Sequence, residues 1–528
     1  MNKKSLSIIV ALFFSLCAGS LPALAQKTNW QNLDLAADSV FGISMEKAYK
    51  ELIKGKKGIK VIVAVNDGGV EATHEDLKNI MWVNKKEIVG NKKDDDRNGY
   101  IDDIHGWNFL GGTGGSVGKE TLELTRLVRA ASDRFGDKKE NDLNDAEKKD
   151  WALYIEQKAV LEEKLKRAKQ NLAGITSFKN ALDNTLKKIG NENPSIQDVE
   201  KFSPQNPTEE RIKNVLIQQL KRTSYAEFYQ NQILSGLEHL DNEVKYQLNT
   251  AFDPRSVVGD DPKNFKEKFY GNSDVAGPDA MHGTHVAGII AADRSNKIGI
   301  SGVADQVLIM AVRCVPDGDE RDKDVANSIR YAVDNGARVI NMSFGKSYSA
   351  EPELVREAIK YAASKDVLMV QAAGNENKDI DLEDNFPNRK GVAQKTIDCW
   401  ITVGASSLKD DKSLKAGFSN FGKSQVDVFA PGVQINSTVP GSQYKKLDGT
   451  SMAAPVVAGL AGELRSLYPR FSAAEIKRII LQSVVKVEHE VEFRKGNELV
   501  SVPFSELCVS GGVVNAYKAF QLAEKSKE

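Results

Sequence analysis

Three short segments of the sequence carry a carboxylate, an imidazole and a hydroxyl, in that chain order. Asp67 ends the stretch VIVAVND, His282 opens HGTHVAG, and Ser451 lies inside GTSMAAPVVAG. A serine hydroxyl becomes a nucleophile when a neighbouring base accepts its proton, and a third group can orient that base. These residue types therefore indicate covalent catalysis, provided that the fold brings the three segments together.

Buried strands alternating with amphipathic helices are predicted to position these residues. Continuous apolar runs, typical of strands covered on both faces of a parallel sheet, occur at 60–65, 307–312, 339–342, 367–372 and 400–403. Helical patterns lie at 45–54, 325–335, 352–364, 452–468 and 473–483. We therefore expect a doubly wound α/β fold with a mostly parallel central sheet. In such sheets functional groups gather at the carboxyl ends of the strands, which is where Asp67 is expected.

A block rich in Lys, Glu, Asn and Gln interrupts this alternation between residues 118 and 269. It has no buried-strand pattern. Its apolar residues follow the four-three spacing of a heptad seam at Leu161, Leu165, Ala168, Leu172 and Ile175. We predict a helical insertion, folded as an antiparallel hairpin or a small bundle, that can bind a partner or a second copy of the chain. It would divide the α/β domain into residues 26–117 and 270–528.

The N-terminus and the overall charge indicate an exported protein with no nucleic-acid partner. Lys3 and Lys4 precede an uncharged apolar run, and Ala-Leu-Ala at 23–25 is a small-residue cleavage site. Residues 1–25 are therefore predicted to be a signal peptide, because the run is too short for a transmembrane anchor. We expect a periplasmic, cell-surface or extracellular protein. Lys+Arg number 72 and Asp+Glu 73, which gives no electrostatic indication of a polyanionic partner.

The motifs around the three residues resemble those of the subtilisin-like serine proteases, the subtilase family. HGTHVAG and GTSMAAP are long, near-identical matches, and QAAGN at 371–375 and VFAPG at 428–432 match in the same order. The order Asp, His, Ser separates the sequence from α/β-hydrolases, whose serine lies in GxSxG and comes first. The resemblance covers residues 40–110 and 271–485 and implies a subtilisin-like fold.

The resemblance also implies a role for each motif residue. Ser451 would attack the scissile carbonyl, His282 would accept its proton, and Asp67 would hold the imidazole tautomer. The backbone N–H of Ser451 and the side-chain amide of Asn375 would form the oxyanion hole. This chemistry requires no cofactor.

Two departures from the family pattern concern the acid. Gly68 follows Asp67 where the family has Ser or Thr, so no hydroxyl can support the carboxylate, and Asn66 replaces an apolar residue. Asp67 and His282 are 215 residues apart instead of a few tens. The predicted insertion explains this separation, because the cost of closing a loop grows slowly with its length.

Substrate binding is expected to occur by strand addition. An extended peptide would pair, main chain to main chain, with Ser343, Phe344 and Gly345. By resemblance, Phe344 and the stretch containing Ala373 and Gly374 would line the first side-chain pocket. This arrangement predicts protein or peptide substrates.

An acidic loop near residue 100 has much of the spacing of a calcium-binding loop. Candidate ligands are Asp94, Asp96, Asn98, the carbonyl group of Tyr100, and Asp102. They occupy the first, third, fifth, seventh and ninth positions of such a loop. The twelfth position holds His105 instead of a bidentate glutamate, so the loop is not a standard EF-hand. We expect a structural calcium ion here; the alternative is a solvated acidic turn.

The sequence therefore predicts a secreted serine endopeptidase that works through an acyl-enzyme. The altered acid segment leaves a second hypothesis open, a weak or inactive subtilase that acts as a binding or scaffold protein through its insertion. A third hypothesis is a hydrolase of esters. Labelling of Ser451 by a fluorophosphonate tests the second, and a comparison of casein with short acyl esters tests the third.

Overall fold

The computed structural model describes residues 28–496 and 498–526, so the predicted signal peptide lies outside the described residues. Within them the chain forms a helical unit, residues 124–253, and an α/β unit that contains the residues on either side. The compact helical unit is shorter at both ends than the block between 118 and 269. Among the described helices, none combines the length and the apolar character that a membrane crossing requires.

A nine-stranded sheet forms the centre of the α/β unit, in the order β12-β15-β9-β8-β7-β6-β1-β5-β2. The strands are β1 (Val61–Asp67), β2 (Gly106–Asn108), β3 (Gly111–Gly112), β4 (Gly115–Ser116), β5 (Val307–Arg313), β6 (Val339–Met342), β7 (Leu368–Ala372), β8 (Trp400–Ser406), β9 (Val428–Pro431), β10 (Ile435–Val439), β11 (Gln443–Leu447), β12 (Val485–Lys486), β13 (Glu490–Lys495), β14 (Glu498–Pro503) and β15 (Gly512–Val513). All pairings within the sheet are parallel except that of β12 with β15. The chain passes from β1 to β5 on one side and then to β6 on the other, so the predicted doubly wound fold is confirmed.

Helices connect these strands and make up the helical unit. They are α1 (Leu35–Asp38), α2 (Met45–Ala48), α3 (Glu123–Phe135), α4 (Asp145–Ile189), α5 (Ile196–Lys201), α6 (Pro207–Leu220), α7 (Tyr225–Phe228), α8 (Ser235–Asn242), α9 (Met281–Ala291), α10 (Asp322–Asp334), α11 (Pro352–Ser364), α12 (Gln394–Ile397), α13 (Thr450–Leu467), α14 (Ala473–Gln482) and α15 (Ala516–Lys525). In the α/β unit α9 packs against α13, and α10 packs against α11. Both α9 and α13 also contact β1.

The helical unit is organised around α4, whose 45 residues span about 68 Å. Asn144 caps its first turn, and Gly190 ends it with a left-handed φ of 80°. α6 and α8 pack along α4. The predicted seam lies on this helix, with Leu161 and Ala168 buried and Leu165, Leu172 and Ile175 half-buried. These helices therefore form a small bundle, which is one of the two forms expected from the sequence.

The two ends of the helical unit are held close to each other. The hydroxyl of Thr125 donates a hydrogen bond to the carbonyl oxygen of Gln247 at 2.7 Å. Arg129 donates to the carbonyl oxygen of Phe252 at 2.8 Å and forms an ion pair with Asp253 at 2.9 Å. The chain therefore leaves and re-enters the helical unit through neighbouring segments.

Candidate active site

β1 and α9 bring Asp67 and His282 into contact. Asp67 is the last residue of β1 and is 1% exposed, and its Oδ1 lies 2.7 Å from Nδ1 of His282. α9 approaches so closely that a Cβ at Gly283 would lie 2.2 Å from the carbonyl oxygen of Gly69. The glycine after the histidine is thus what allows the first turn of this helix to reach the acid.

Among the described residues, only one carboxylate oxygen of Asp67 has hydrogen-bond partners. Oδ1 accepts the backbone N–H of Gly68 at 2.7 Å as well as the bond from His282. Oδ2 is buried and accepts no hydrogen bond from the residues that the structure describes. The sequence anticipated this lack of support, because Gly68 has no hydroxyl.

Asp67 alters the protonation of His282. Burial lowers the pKa of the imidazole, but the charge of Asp67 and its hydrogen bond outweigh burial, so the pKa lies above its ordinary value. A carboxylate can only accept a hydrogen bond, so Nδ1 carries a proton and Nε2 is the nitrogen available as a base. The His282 side chain is 41% exposed, which leaves this nitrogen accessible to a reactant.

Ser451 lies in the first turn of α13 and is linked to the end of β6. Its hydroxyl donates to the carbonyl oxygen of Ser343 at 3.1 Å, and the Ser343 hydroxyl donates to the carbonyl oxygen of Ser451 at 2.9 Å. Among the described contacts, none joins the Ser451 hydroxyl to His282. Catalytic hydrogen bonds are often long or misaligned in substrate-free enzymes, so this orientation does not exclude the pairing.

Asn375 is fixed beside Ser451 through its neighbour Thr450. Its Oδ1 accepts the backbone N–H of Thr450 at 2.9 Å and the Thr450 hydroxyl at 3.0 Å. The Thr450 hydroxyl accepts in turn from the backbone N–H of Gly374 at 3.1 Å. With its oxygen engaged, Asn375 keeps its amide N–H groups available as donors next to the helix N-terminus that carries Ser451.

The segment expected to pair with substrate has free backbone groups. Among the described residues, Phe344 and Gly345 form no backbone hydrogen bond, because β6 ends at Met342. Beyond them, the backbone N–H of Lys346 donates to the carbonyl oxygen of Phe386 at 2.9 Å, and the N–H of Phe386 donates to the carbonyl oxygen of Lys346 at 2.8 Å. An extended peptide therefore has two residues of unpaired main chain to bind.

Asn385 lies between the two predicted walls of the first pocket, and no motif in the sequence points to it. Its Nδ2 donates to the carbonyl oxygen of Ala373 at 3.0 Å. A Cβ at Gly345 would lie 2.7 Å from its Oδ1. The segments containing Gly345 and Ala373 are thus brought to opposite sides of one polar side chain, and Gly374 lies next to them.

The acidic loop brings some of the predicted calcium ligands together. Carboxylate oxygens of Glu87, Asp94 and Asp96 lie within 4.8 Å of one another. Asp102 instead accepts the backbone N–H groups of Gly90 and Lys92, each at 2.9 Å. Glu87 precedes the loop, and the loop spacing alone could not identify it.

Of the remaining two predicted ligands, Asn98 lies next to this group, because its backbone N–H donates to Oδ1 of Asp94 at 3.0 Å and to Oδ1 of Asp96 at 3.2 Å. Oδ1 of Asn98 accepts the backbone N–H of Tyr100 at 2.8 Å, and Asn98 donates to Asp103 at 3.0 Å. The only cation that a salt bridge places at the three carboxylates, among the described residues, is the exposed Lys86, 3.8 Å from Asp96. Three converging carboxylates with so little neutralisation are the donor set that a hard divalent cation prefers.

Comparisons with known proteins give the same family as the motifs. Residues 58–497 match the model of the subtilase family. The thermophilic serine proteinase of Bacillus sp. (strain AK1) is 40% identical over 207 residues, which are 39% of this chain and 47% of that protein. Thermitase of Thermoactinomyces vulgaris is 38% identical over 241 residues, 46% of this chain and 75% of that protein.

A solved structure described as proteases from Pseudoalteromonas arctica PAMC 21717 is 28% identical, covers 48% of this chain and 78% of its own, and has a TM-score of 0.39. The chain spans about half the length of the Bacillus relative. The family match, in contrast, extends over most of the chain and includes all four motifs. The chain belongs to the subtilase family.

Proposed function

We propose that the chain is an exported serine endopeptidase that hydrolyses peptide bonds through an acyl-enzyme on Ser451. The observation that carries the proposal is the 2.7 Å contact between Asp67 and His282, two residues 215 positions apart. A relative named as a thermophilic serine proteinase supports the same reaction class. Export rests on the predicted signal peptide at residues 1–25.

Substrate binding would itself activate the nucleophile. A peptide that adds as a strand beside Phe344 and Gly345 brings backbone N–H groups to the end of β6. If one of these N–H groups donates to the carbonyl oxygen of Ser343, it displaces the Ser451 hydroxyl from that oxygen. The hydroxyl then rotates and donates its hydrogen bond to Nε2 of His282. Asp67 stabilises the imidazolium that forms when Ser451 attacks the carbonyl carbon.

The oxyanion of the tetrahedral intermediate would be stabilised by two fixed donors. One is the backbone N–H of Ser451, which lies at the positive end of α13. The other is the amide of Asn375, whose orientation Thr450 fixes. His282 then donates its proton to the leaving amine, and water hydrolyses the acyl-enzyme by the same steps in reverse order.

A calcium ion in the acidic loop would be structural, and the reaction would need no cofactor. Asp94, Asp96 and Glu87 would supply the negatively charged ligands. Asn98, the Tyr100 carbonyl group and Asp102 are further candidate ligands. Binding would neutralise carboxylates that otherwise repel one another, and it would stabilise the folded state by mass action.

The helical unit is proposed to govern access of large substrates or to bind a partner or a second copy of the chain. A catalytically inactive scaffold is the less favoured function, because the contact between Asp67 and His282 is present and no described residue accepts a hydrogen bond from the Asn375 amide.

Active-site labelling tests the proposed function. The mature chain should react with a fluorophosphonate and cleave casein faster than it cleaves short acyl esters, and Ser451→Ala should lose both reactions. Ser472→Ala is the matched control, since Ser472 also stands at a helix N-terminus but only caps α14; it should label like the wild type. Undiminished casein hydrolysis by Ser451→Ala would overturn the proposal.

A further inference from the structure

Every polar atom of the Asn420 side chain is bonded to the loop that follows β7. Nδ2 donates to the carbonyl oxygen of Ala373 at 2.9 Å and to Oε2 of Glu376 at 2.8 Å. Oδ1 accepts the backbone N–H groups of Glu376 at 3.1 Å and Lys378 at 2.8 Å. Asn420 is 1% exposed, and its four hydrogen bonds use the full capacity of an amide side chain. The loop they hold carries Asn375.

The backbone of the same loop is shaped to admit Asn420. The backbone N–H of Asn420 donates to the carbonyl oxygen of Gly374 at 2.9 Å. Gly374 has a left-handed φ of 103°, and a Cβ there would lie 2.3 Å from Nδ2 of Asn420. Glycine is therefore required at this position both for the backbone conformation and for the close approach of the amide.

Asn420 and Thr450 hold the loop from two different segments. Thr450 fixes the side-chain amide of Asn375 and accepts from Gly374. Asn420 bonds the residues on both sides of Asn375 and makes no direct contact with it among the described hydrogen bonds. Thr450 thus sets the direction of the amide, and Asn420 sets the position of the backbone from which it extends.

We propose that Asn420 is a positioning residue for the oxyanion hole, which acts by fixing the main chain on either side of Asn375. The inference rests on the proposed function. Donors to an oxyanion act only if they are preorganised where charge develops, and a misplacement of about 1 Å can cost about 100-fold in rate. A buried amide that uses all its bonds on one loop supplies that constraint.

The test is a double-mutant cycle with Asn375, measured as kcat per active site after titration with a fluorophosphonate. Asn420→Ala should lower kcat about 30- to 100-fold and change KM less than about threefold, because the oxyanion forms after substrate binds. In the Asn375→Ala background the same change should lower kcat by less than about threefold, since the donor it positions is already absent.

Asn515→Ala is the matched control, because Asn515 is also buried but bonds Ser44 and Lys518 and lies outside the proposed site. It should lower the melting temperature and leave kcat unchanged. If Asn420→Ala is not recovered folded, Asn420→Asp replaces it, since a carboxylate keeps both acceptor bonds and loses both donors.

The outcomes separate the role from the function on which it rests. Equal losses of kcat in the two backgrounds, or wild-type kcat in the Asn420 variants, overturn the positioning role while the wild type still hydrolyses peptides. A wild-type chain that neither labels nor hydrolyses peptides overturns the proposed function and the role together.

Discussion

Asp67→Asn should be much less damaging than Asp67→Ala, because the two oxygens of this carboxylate are unequal. Oδ1 accepts from both Gly68 and His282, whereas Oδ2 accepts from no described residue. An asparagine satisfies both donors only with its oxygen in the Oδ1 position, which sends its NH₂ to the unpartnered side. Nδ1 of His282 then still donates, so the tautomer that catalysis needs is retained.

The magnitude follows from what the asparagine still lacks. A neutral amide oxygen replaces a charged acceptor, and hydrogen bonds to charged groups contribute about 1.5–3 kcal/mol. That corresponds to a fall in kcat/KM of roughly 10- to 150-fold. Asp67→Ala removes the acceptor altogether and should cost about 10,000-fold or more, a magnitude taken from subtilisin.

The assay is kcat/KM on a peptide substrate from pH 5 to pH 9, normalised to titrated active sites. Catalysis needs neutral His282, so activity rises with pH through its pKa, which Asp67 raises. Without the Asp67 charge, burial lowers the pKa of the ring against the charge of Asp279 alone, so the inflection should move to lower pH in Asp67→Asn. An Asp67→Asn variant as inactive as Asp67→Ala, with no shift of the inflection, would refute the reasoning, because its amide would then be facing His282.

Four further changes to the chain test other parts of the molecule. Asn375→Ala should lower kcat about 100- to 1,000-fold, a magnitude taken from subtilisin, with little change in KM, and equal changes in both would argue against an oxyanion role. Calcium should raise the melting temperature of the wild type and chelator should lower it, and neither should affect Asp96→Ala. Replacing 124–253 by a Gly/Ser linker should leave a soluble enzyme that cleaves small peptides. Replacing 118–269 should destabilise it by about 3–5 kcal/mol in urea unfolding, because the buried Lys323 loses every carboxylate paired with it.

The strands of the sheet could be predicted because burial on both faces leaves an unbroken apolar run. The apolar run that predicts the first strand ends at Val65, whereas β1 continues through Asn66 to Asp67. These two polar residues stay in the strand because β5 pairs with it through Arg313. The periodicity of a strand cannot reveal such a continuation, since it depends on the partner strand.

The helical block was predictable from its seam, but its edges were not. Residues on either side of 124–253 are polar and lack a heptad, so composition alone assigns them to the insertion. In the structure they belong to the α/β unit through buried ion pairs such as Arg255 with Asp324 at 2.7 Å. From sequence alone a charged residue is predicted to be exposed to solvent. Its burial becomes clear only when its ion-pair partner is known, and here that partner is 69 positions away.

Glu87, Asn385 and Asn420 could not be identified from the sequence for a related reason. Each is a polar loop residue, and no short motif sets it apart from other loop residues. What gives each its significance is proximity across the fold: Glu87 to the acidic loop, Asn385 to Gly345, and Asn420 to Ala373. Motifs identify the groups that react, while the groups that hold them are defined only by tertiary contacts.

The contact between Asp67 and His282 also explains how a long insertion can interrupt the chain between them. Asp67 is fixed by β1, which pairs with β5 over seven residues and with β6 over four. His282 is fixed by α9, which packs on α13 and meets the end of β1 at Gly283. Neither position depends on residues 124–253, whose own ends are joined by Arg129 and Asp253. The insertion therefore adds a loop-closure cost that rises only slowly with length, and the geometry of the acid and the base is set without it.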